Sequence, residues 1–290
     1  MRYNERMVSD DDVKTLEQKA KDIRITIIEM LTEAKSGHLA GPLGMADIFA
    51  ALYFHILHHD PANPDWEERD RLILSCGHIC PVRYATMALA GYFSVEELKT
   101  LRKFGTRLQG HPERLRLPGS ETTSGPLGEG LSQAAGMAYA ARMDNKKWRT
   151  YCVMSDAEQG AGITYEAMLF AGKYKLSNLV GIIDRNNIEI DGNTEDIMPL
   201  EPLREKYEAC NWHVIEIGGH NIEQFVDAVE EAKALQNKPT VIIAHTIPGR
   251  GVSFMENKFE WHGIPPKPEE AEVALRELRT LGGKISSEHE

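Results

Sequence analysis

The chain has 290 residues, 42% of them hydrophobic and 27% charged, and a formal net charge of -11. That length admits one large globular domain or two smaller ones, each with a sizeable core. The acidic balance argues against a nucleic-acid partner, and no apolar run approaches the roughly 20 residues of a membrane span.

In chain order, residues 11–35 predict a long amphipathic helix. Val13, Leu16, Ala20, Ile23, Ile27, Met30 and Leu31 recur at helical spacing. Asp10, Asp11 and Asp12 put acid at its N-terminus, where the helix dipole favours it. Ser36-Gly37-His38 breaks the pattern, and a second helix is expected over Met45–Leu57. Short Val- and Ile-rich runs then follow at Arg71–Cys76, Thr150–Ser155, Leu179–Asp184, Trp212–Ile217 and Thr240–His245. Each has the length of a buried parallel strand. Helical patterns at 126–143, 161–175, 200–210 and 221–235 separate most of them. The alternation predicts an α/β fold, an open, mostly parallel sheet with helices on both faces. One domain is expected over 10–265. A C-terminal extension, 266–290, starts Pro-rich, holds a short helix and ends charged.

Cys76, Cys80, Cys152 and Cys210 do not read as a disulfide framework in a chain this long. Cys76 and Cys80 lack a second Cys/His pair at zinc spacing, so buried free thiols are the better reading. The N-terminal segment has no apolar stretch of the signal-peptide kind, so a cytoplasmic protein is expected.

In such sheets ligands bind beyond the carboxyl ends of the strands. The unusual loops fall there: Ser75-Cys76-Gly77-His78, Ser155-Asp156-Ala157-Glu158, Asp184-Arg185-Asn186-Asn187 and Thr246-Ile247-Pro248-Gly249. Asp156 and Asn186 follow consecutive strands, so their loops can be neighbours. A carboxylate, an amide oxygen and a backbone carbonyl suit Mg2+ or Ca2+, completed by phosphate oxygens and water. The plainer alternative is that Asp156 caps the next helix and Asn186 makes a turn. Glu121 to Gly130 is a Gly-rich turn entering a helix. It suits a phosphate cradle or, equally, an ordinary tight turn. His38, His78, His111 and His262 each sit beside Gly or Pro in a loop, which suggests a polar cavity able to move protons. His55, His58, His59, His213, His220 and His245 lack that context and read as surface or packing residues. Gly160-Ala161-Gly162 with Asp184 is a partial dinucleotide fingerprint. It fails because position 165 is Tyr and four residues separate strand from glycine.

Taken together, Ser36 to Asp47, Leu74 to His78, Gly110 to Glu113, Glu121 to Gly130, Asp156 to Gly192 and Thr246 to Gly263 resemble, in order, the motifs of the transketolase N-terminal domain. The resemblance implies a thiamine-diphosphate enzyme moving a two-carbon ketol unit between sugar phosphates. It implies that Asp156, Asn186 and the Ile188 carbonyl hold a divalent metal. Gly125, Leu127 and the Ala157 amide would line the cofactor. His78 and His262 would contact the diphosphate, and His38, His111 and His262 would serve the substrate hydroxyls and proton transfers. It also implies a split enzyme. A C-terminal subunit carrying the pyrimidine-binding domain would complete the site, as an α2β2 assembly without nucleic acid or membrane. The alternatives are a related thiamine-diphosphate subunit, of dihydroxyacetone synthase or 2-oxoacid dehydrogenase type, and a degenerate, non-catalytic partner. Three positions depart from the family pattern: Ala157 stands for Gly, Ala161 for the usual Glu, and Gly160 for a polar residue.

Overall fold

The computed structural model describes residues 8–280. Helix α1 (Asp10–Ala34) opens with a reciprocal cap, in which Ser9 Oγ accepts from the Asp12 amide and the Asp12 carboxylate accepts from the Ser9 amide. Its inner stripe buries Leu16, Ala20, Ile23, Ile27 and Leu31. The second predicted helix is three pieces: α2 (Ala40–Gly44), α3 (Ala46–Ala51) and a π turn over Leu52–Ile56.

Five strands follow: β1 (Arg71–Leu74), β2 (Thr150–Ser155), β3 (Leu179–Arg185), β4 (His213–Gly218) and β5 (Thr240–His245). They form one sheet in the order β1-β2-β3-β5-β4, and every pairing is parallel. β1 ends two residues before the predicted Cys76, because Ser75 and Cys76 already turn into the next loop. Helices α4 (Cys80–Leu89), α5 (Glu129–Met143), α6 (Gly162–Tyr174), α7 (Thr194–Ile197), α8 (Leu203–Ala209), α9 (Ile222–Ala234) and α10 (Pro268–Thr280) complete the chain.

Strand side chains alternate between two cores, as the pleat requires. Tyr151, Val153, Val180 and Ile182 join the core built with α1, α3, α4 and α9. Cys152, Met154, Leu179 and Ile183 join the other, built with α5, α6 and α8. Helices therefore cover both faces. α10 places Ala271, Ala274 and Leu278 in the first core. The charged tail beyond residue 280 lies outside the described residues. Among the described residues no helix is long and apolar enough to cross a membrane. All four cysteines are free; Cys76, Cys80 and Cys152 are buried and Cys210 partly so.

α4 has no counterpart in the predicted elements. Cys80 through Ala88 are all buried, so the helix has no polar face to reveal a period.

One buried ionic group ties the helical layer to the sheet edge. Arg24 on α1 donates from Nη1 and Nη2 to the two oxygens of Asp47 on α3, at 3.1 and 2.5 Å, and from Nε to the Leu43 carbonyl at 3.0 Å. His220 Nε2 accepts from the Ile247 amide at 2.7 Å. Its Nδ1 is therefore the protonated nitrogen, and it meets Asp47 Oδ2 at 2.7 Å. Burial would raise the Asp47 pKa, but Arg24 and His220 outweigh it and hold the carboxyl well below its ordinary value. The group anchors the loop after β5 to α1 and α3. We expect Asp47→Ala to strand the Arg24 guanidinium and cost about 3–5 kcal/mol, read as a lower urea midpoint at unchanged slope.

Candidate active site

Parallel pairing sets Ser155 opposite Asp184, so the loops after β2 and β3 emerge side by side. Asp156 is fully buried there. Its Oδ2 accepts from the Asn187 amide at 2.8 Å and Arg185 Nη1 at 3.1 Å, while among the described residues Oδ1 accepts only from the Ala157 amide at 2.8 Å. Asn186 turns its Nδ2 to Asp184 at 2.8 Å, and its Oδ1 accepts from the Ile188 amide at 3.0 Å. Both plainer roles are thus present: Asp156 caps the turn Ala157–Gly160 and Asn186 closes a side-chain turn. Neither uses up the lone pairs of these oxygens.

The electrostatics leave room for a cation. Burial raises the Asp156 pKa above the ordinary carboxyl value, opposed by the Asn187 amide and Arg185. Burial pushes Asp184 up to about 7, and the Asp156 charge adds to it; hydrogen bonds from Thr246 and Asn186 oppose. Glu158, buried at the same strand end, is pushed up to about 7 by burial, against hydrogen bonds from Ser75 and Ser155. Sequence reasoning weighed Asp184 only as the acid of the rejected dinucleotide fingerprint and gave Glu158 no role of its own. The available signal was acid at the end of apolar strands.

The four loop histidines converge. The His38 ring centroid lies 5.0 Å from His78, 6.5 Å from His111 and 5.5 Å from His262, and His78 lies 5.3 Å from His262. Four separate stretches of chain supply them. The Leu39 amide donates to the His262 carbonyl and the Gly249 amide to the Ala40 carbonyl, fastening the loops together. A Cβ on Gly77 would lie 2.6 Å from Ser124 Cβ and 3.0 Å from His111 Cδ2, so only glycine lets these loops meet. A Cβ on Gly41 would lie 3.9 Å from Asp184 Oδ2, which puts the His38 loop against the Asp184–Asn186 corner.

Burial pushes His38 down to about 4, helped by the nearby His262, Arg102 and His111. His78 is held well below its ordinary value by burial and then by His262, His38 and His111. Burial also lowers His111, with Arg102 adding to it, and lowers His262. The imidazoles are therefore neutral at pH 7. The Nδ1 atoms of His38 and His262 are buried without a hydrogen-bond partner among the described residues. Orphaned polar atoms in a cavity are the mark of a polar ligand site.

The other expected residues stand as follows. Gly125 has φ +150 with open space beyond it, and Leu127 is exposed nearby. The Ala157 amide faces Asp156 instead of open space. Ala157 opens a 3-10 turn and is not at positive φ, so this backbone does not require glycine there. Ala161 links that turn to α6 and makes no side-chain cap. Cys76 and Cys80 point to different carbonyls, of Val153 and Gly110, and no group of three His, Cys, Asp or Glu among the described residues could hold a metal. The oxygens of Asp156, Asn186 and Ile188 suit a hard cation only if a ligand adds others. A phosphorylated cofactor would do so, and the residues fit that pairing.

The chain is thus an open parallel α/β domain with a neutral histidine pocket and a buried oxygen corner at its carboxyl edge. Residues 15–283 match the family described as transketolase, thiamine diphosphate binding domain, and the chain belongs to that family. It is 43% identical over 267 residues to the 6-deoxy-6-sulfo-D-fructose transketolase subunit SqwG of Clostridium sp. (strain MSTE9), covering 92% of this chain and 97% of that one. It is 40% identical over 277 residues to an apulose-4-phosphate transketolase subunit of Phocaeicola vulgatus, covering 96% and 98%. The crystal structure of Campylobacter jejuni transketolase superposes with a TM-score of 0.87 at 36% identity, over 91% of this chain. The chain spans only 42% of that enzyme.

The histidine pocket has a pH consequence. His38 ordinarily titrates near 6.5 but near 4 when folded, so the stability it permits above pH 6.5 is lost as pH falls towards 4. We expect His38→Gln to flatten the fall in unfolding free energy between pH 6.5 and 4. Urea titrations at stepped pH check this, and parallel curves for the two proteins would count against it.

Proposed function

We propose that this chain is the diphosphate-binding subunit of a split transketolase, active with a partner that completes the site. The observation that carries the reading is the convergence of His38, His78, His111 and His262 beside the Asp156–Asn186 corner in a chain of this family. Thiamine diphosphate, when bound, supplies the carbon centre that takes up the two-carbon ketol unit and stores its electrons. Asp156, Asn186 and the Ile188 carbonyl would hold Mg2+ or Ca2+ together with the diphosphate. Gly125, Leu127 and Ala157 would line the cofactor, and His78 and His262 would donate to its diphosphate. His38, His111 and His262 orient the hydroxyls of the sugar. A neutral imidazole with a free nitrogen can accept the proton leaving a hydroxyl and return it later.

The substrates are sugars with an acidic substituent. A sulfo group on fructose and a phosphate on apulose are the substituents specified for the two relatives' sugars. The partner carries the pyrimidine-binding domain, in an α2β2 assembly. An exposed apolar face supports a partner: Ile163, Leu169, Phe170 and Tyr174 on α6 remain solvent-facing, and Phe170 and Tyr174 cluster with Tyr139 of α5. The domain expected over about 10–265 extends through α10, which packs into its first core, and the protein works in the cytoplasm.

The test is to co-purify the chain with its partner and titrate thiamine diphosphate and Mg2+ while following ketol transfer from xylulose 5-phosphate to ribose 5-phosphate. Saturable, metal-dependent turnover is expected. Cofactor binding without turnover on any sugar phosphate would favour a degenerate, non-catalytic chain. In the same complex, Asp156→Ala should weaken Mg2+-dependent cofactor binding by more than the roughly 10–100-fold typical of an outer-shell partner. Intact turnover in that variant would refute the metal assignment.

A further inference from the structure

Apart from the histidine pocket, three arginines surround one acid at the start of the Gly-rich turn. Glu121 is buried and accepts from Arg69 Nη2 at 2.9 Å, and Arg71 Nε lies 3.7 Å from the same oxygen. Arg83 on α4 is fully buried. Its charge, with those of Arg69 and Arg71, opposes the burial that raises the Glu121 pKa, yet it forms no ion pair among the described residues. Its Nη2 donates to the Gly119 carbonyl at 2.9 Å. Its Nε and Nη1 are buried with no acceptor among the described residues, and so is Arg69 Nε. The Thr122 hydroxyl, beside Glu121, is buried without a partner as well.

Packing closes the region. Ser120, Glu121 and Thr122 are all buried, and a Cβ on Gly119 would lie 2.7 Å from Tyr92 Cε1, so the loop lies tight against Tyr92. The Arg83 charge also opposes the burial that raises the Tyr53 and Tyr92 phenols, which places both rings near it.

The charges do not balance. Arg71 has Asp70 and Glu68 near it as well as Glu121. That leaves Arg69 and Arg83 to share Glu121, with one positive charge in excess. A buried guanidinium without a counter-ion is strongly destabilising, and each unmade hydrogen bond adds to the cost. Interior water would meet the donors but bring no charge.

We propose that Arg83, with Arg69 and the Thr122 hydroxyl, forms a buried binding site for a monovalent inorganic anion of chloride size. The anion is the counter-ion that lets α4 pack against the loop before the Gly-rich turn. A single excess charge calls for a single negative one. A polyatomic oxyanion would set further oxygens against the Glu121 carboxylate, which favours a monatomic ion.

The test is thermal unfolding of the full chain in rising sodium chloride, with sodium gluconate holding the ionic strength constant. Tm should rise saturably, by about 3–5 °C once chloride exceeds its Kd tenfold. Arg83→Met removes the cation at similar length, and its Tm should not respond to chloride. Arg83→Lys keeps the charge with fewer donors and should respond more weakly than the wild type, which preserves the test if the methionine variant does not fold. Crystals grown with bromide in place of chloride should show an anomalous peak within hydrogen-bonding distance of Arg83. A wild-type Tm indifferent to chloride overturns the site and leaves water as the partner of these donors. A response that Arg83→Met or Arg83→Lys shares in full, or bromide absent from Arg83, overturns it equally.

Discussion

Everything at the candidate site depends on the parallel pairing of β2 with β3. Because the strands run the same way, both carboxyl ends open at one edge, and the Ser155–Asp184 register sets Asp156 and Asn186 side by side. An antiparallel pair would send one of these loops to the opposite edge. The same rule brings the loops after β1 and β5 to that edge. Sheet direction brings His78 and His262 there, on the loops after β1 and β5, while His38, after α1, and His111, beyond α4, join them through contacts between loops.

Burial then decides the protonation of what is gathered. The acids Asp156, Asp184 and Glu158 are pushed up, and His38, His78, His111 and His262 are pushed down. Each group is thereby biased towards its neutral form. A site so arranged has few opposite charges of its own to neutralise. A metal bound to an anionic diphosphate would supply both signs of charge, and it would find carboxylates on one side and neutral hydrogen-bonding imidazoles on the other.

The strands were legible because buried parallel strands are continuous apolar runs, as at Val180–Ile183. The histidines were legible because each interrupts a Gly- or Pro-marked loop. α4 was not, since a helix buried all round carries no period. The break of the second helix into α2, α3 and a π turn was hidden in an unbroken apolar sequence. His220 read as a surface or packing residue. It is a packing residue, but its bond to the Ile247 amide crosses between distant segments and leaves no mark in spacing.

The Arg24–Asp47–His220 group also limits how this protein can change over generations. A well-packed apolar trio of similar volume is often as stable as a buried ionic one. Yet replacing Arg24 or Asp47 first leaves a charge buried without its counter-ion, and replacing His220 first leaves the Ile247 amide without its acceptor. The three positions therefore form a valley between two acceptable states, with the loop after β5 at stake on every step. Drift can alter the helix faces around them one residue at a time, but these three can be exchanged only together.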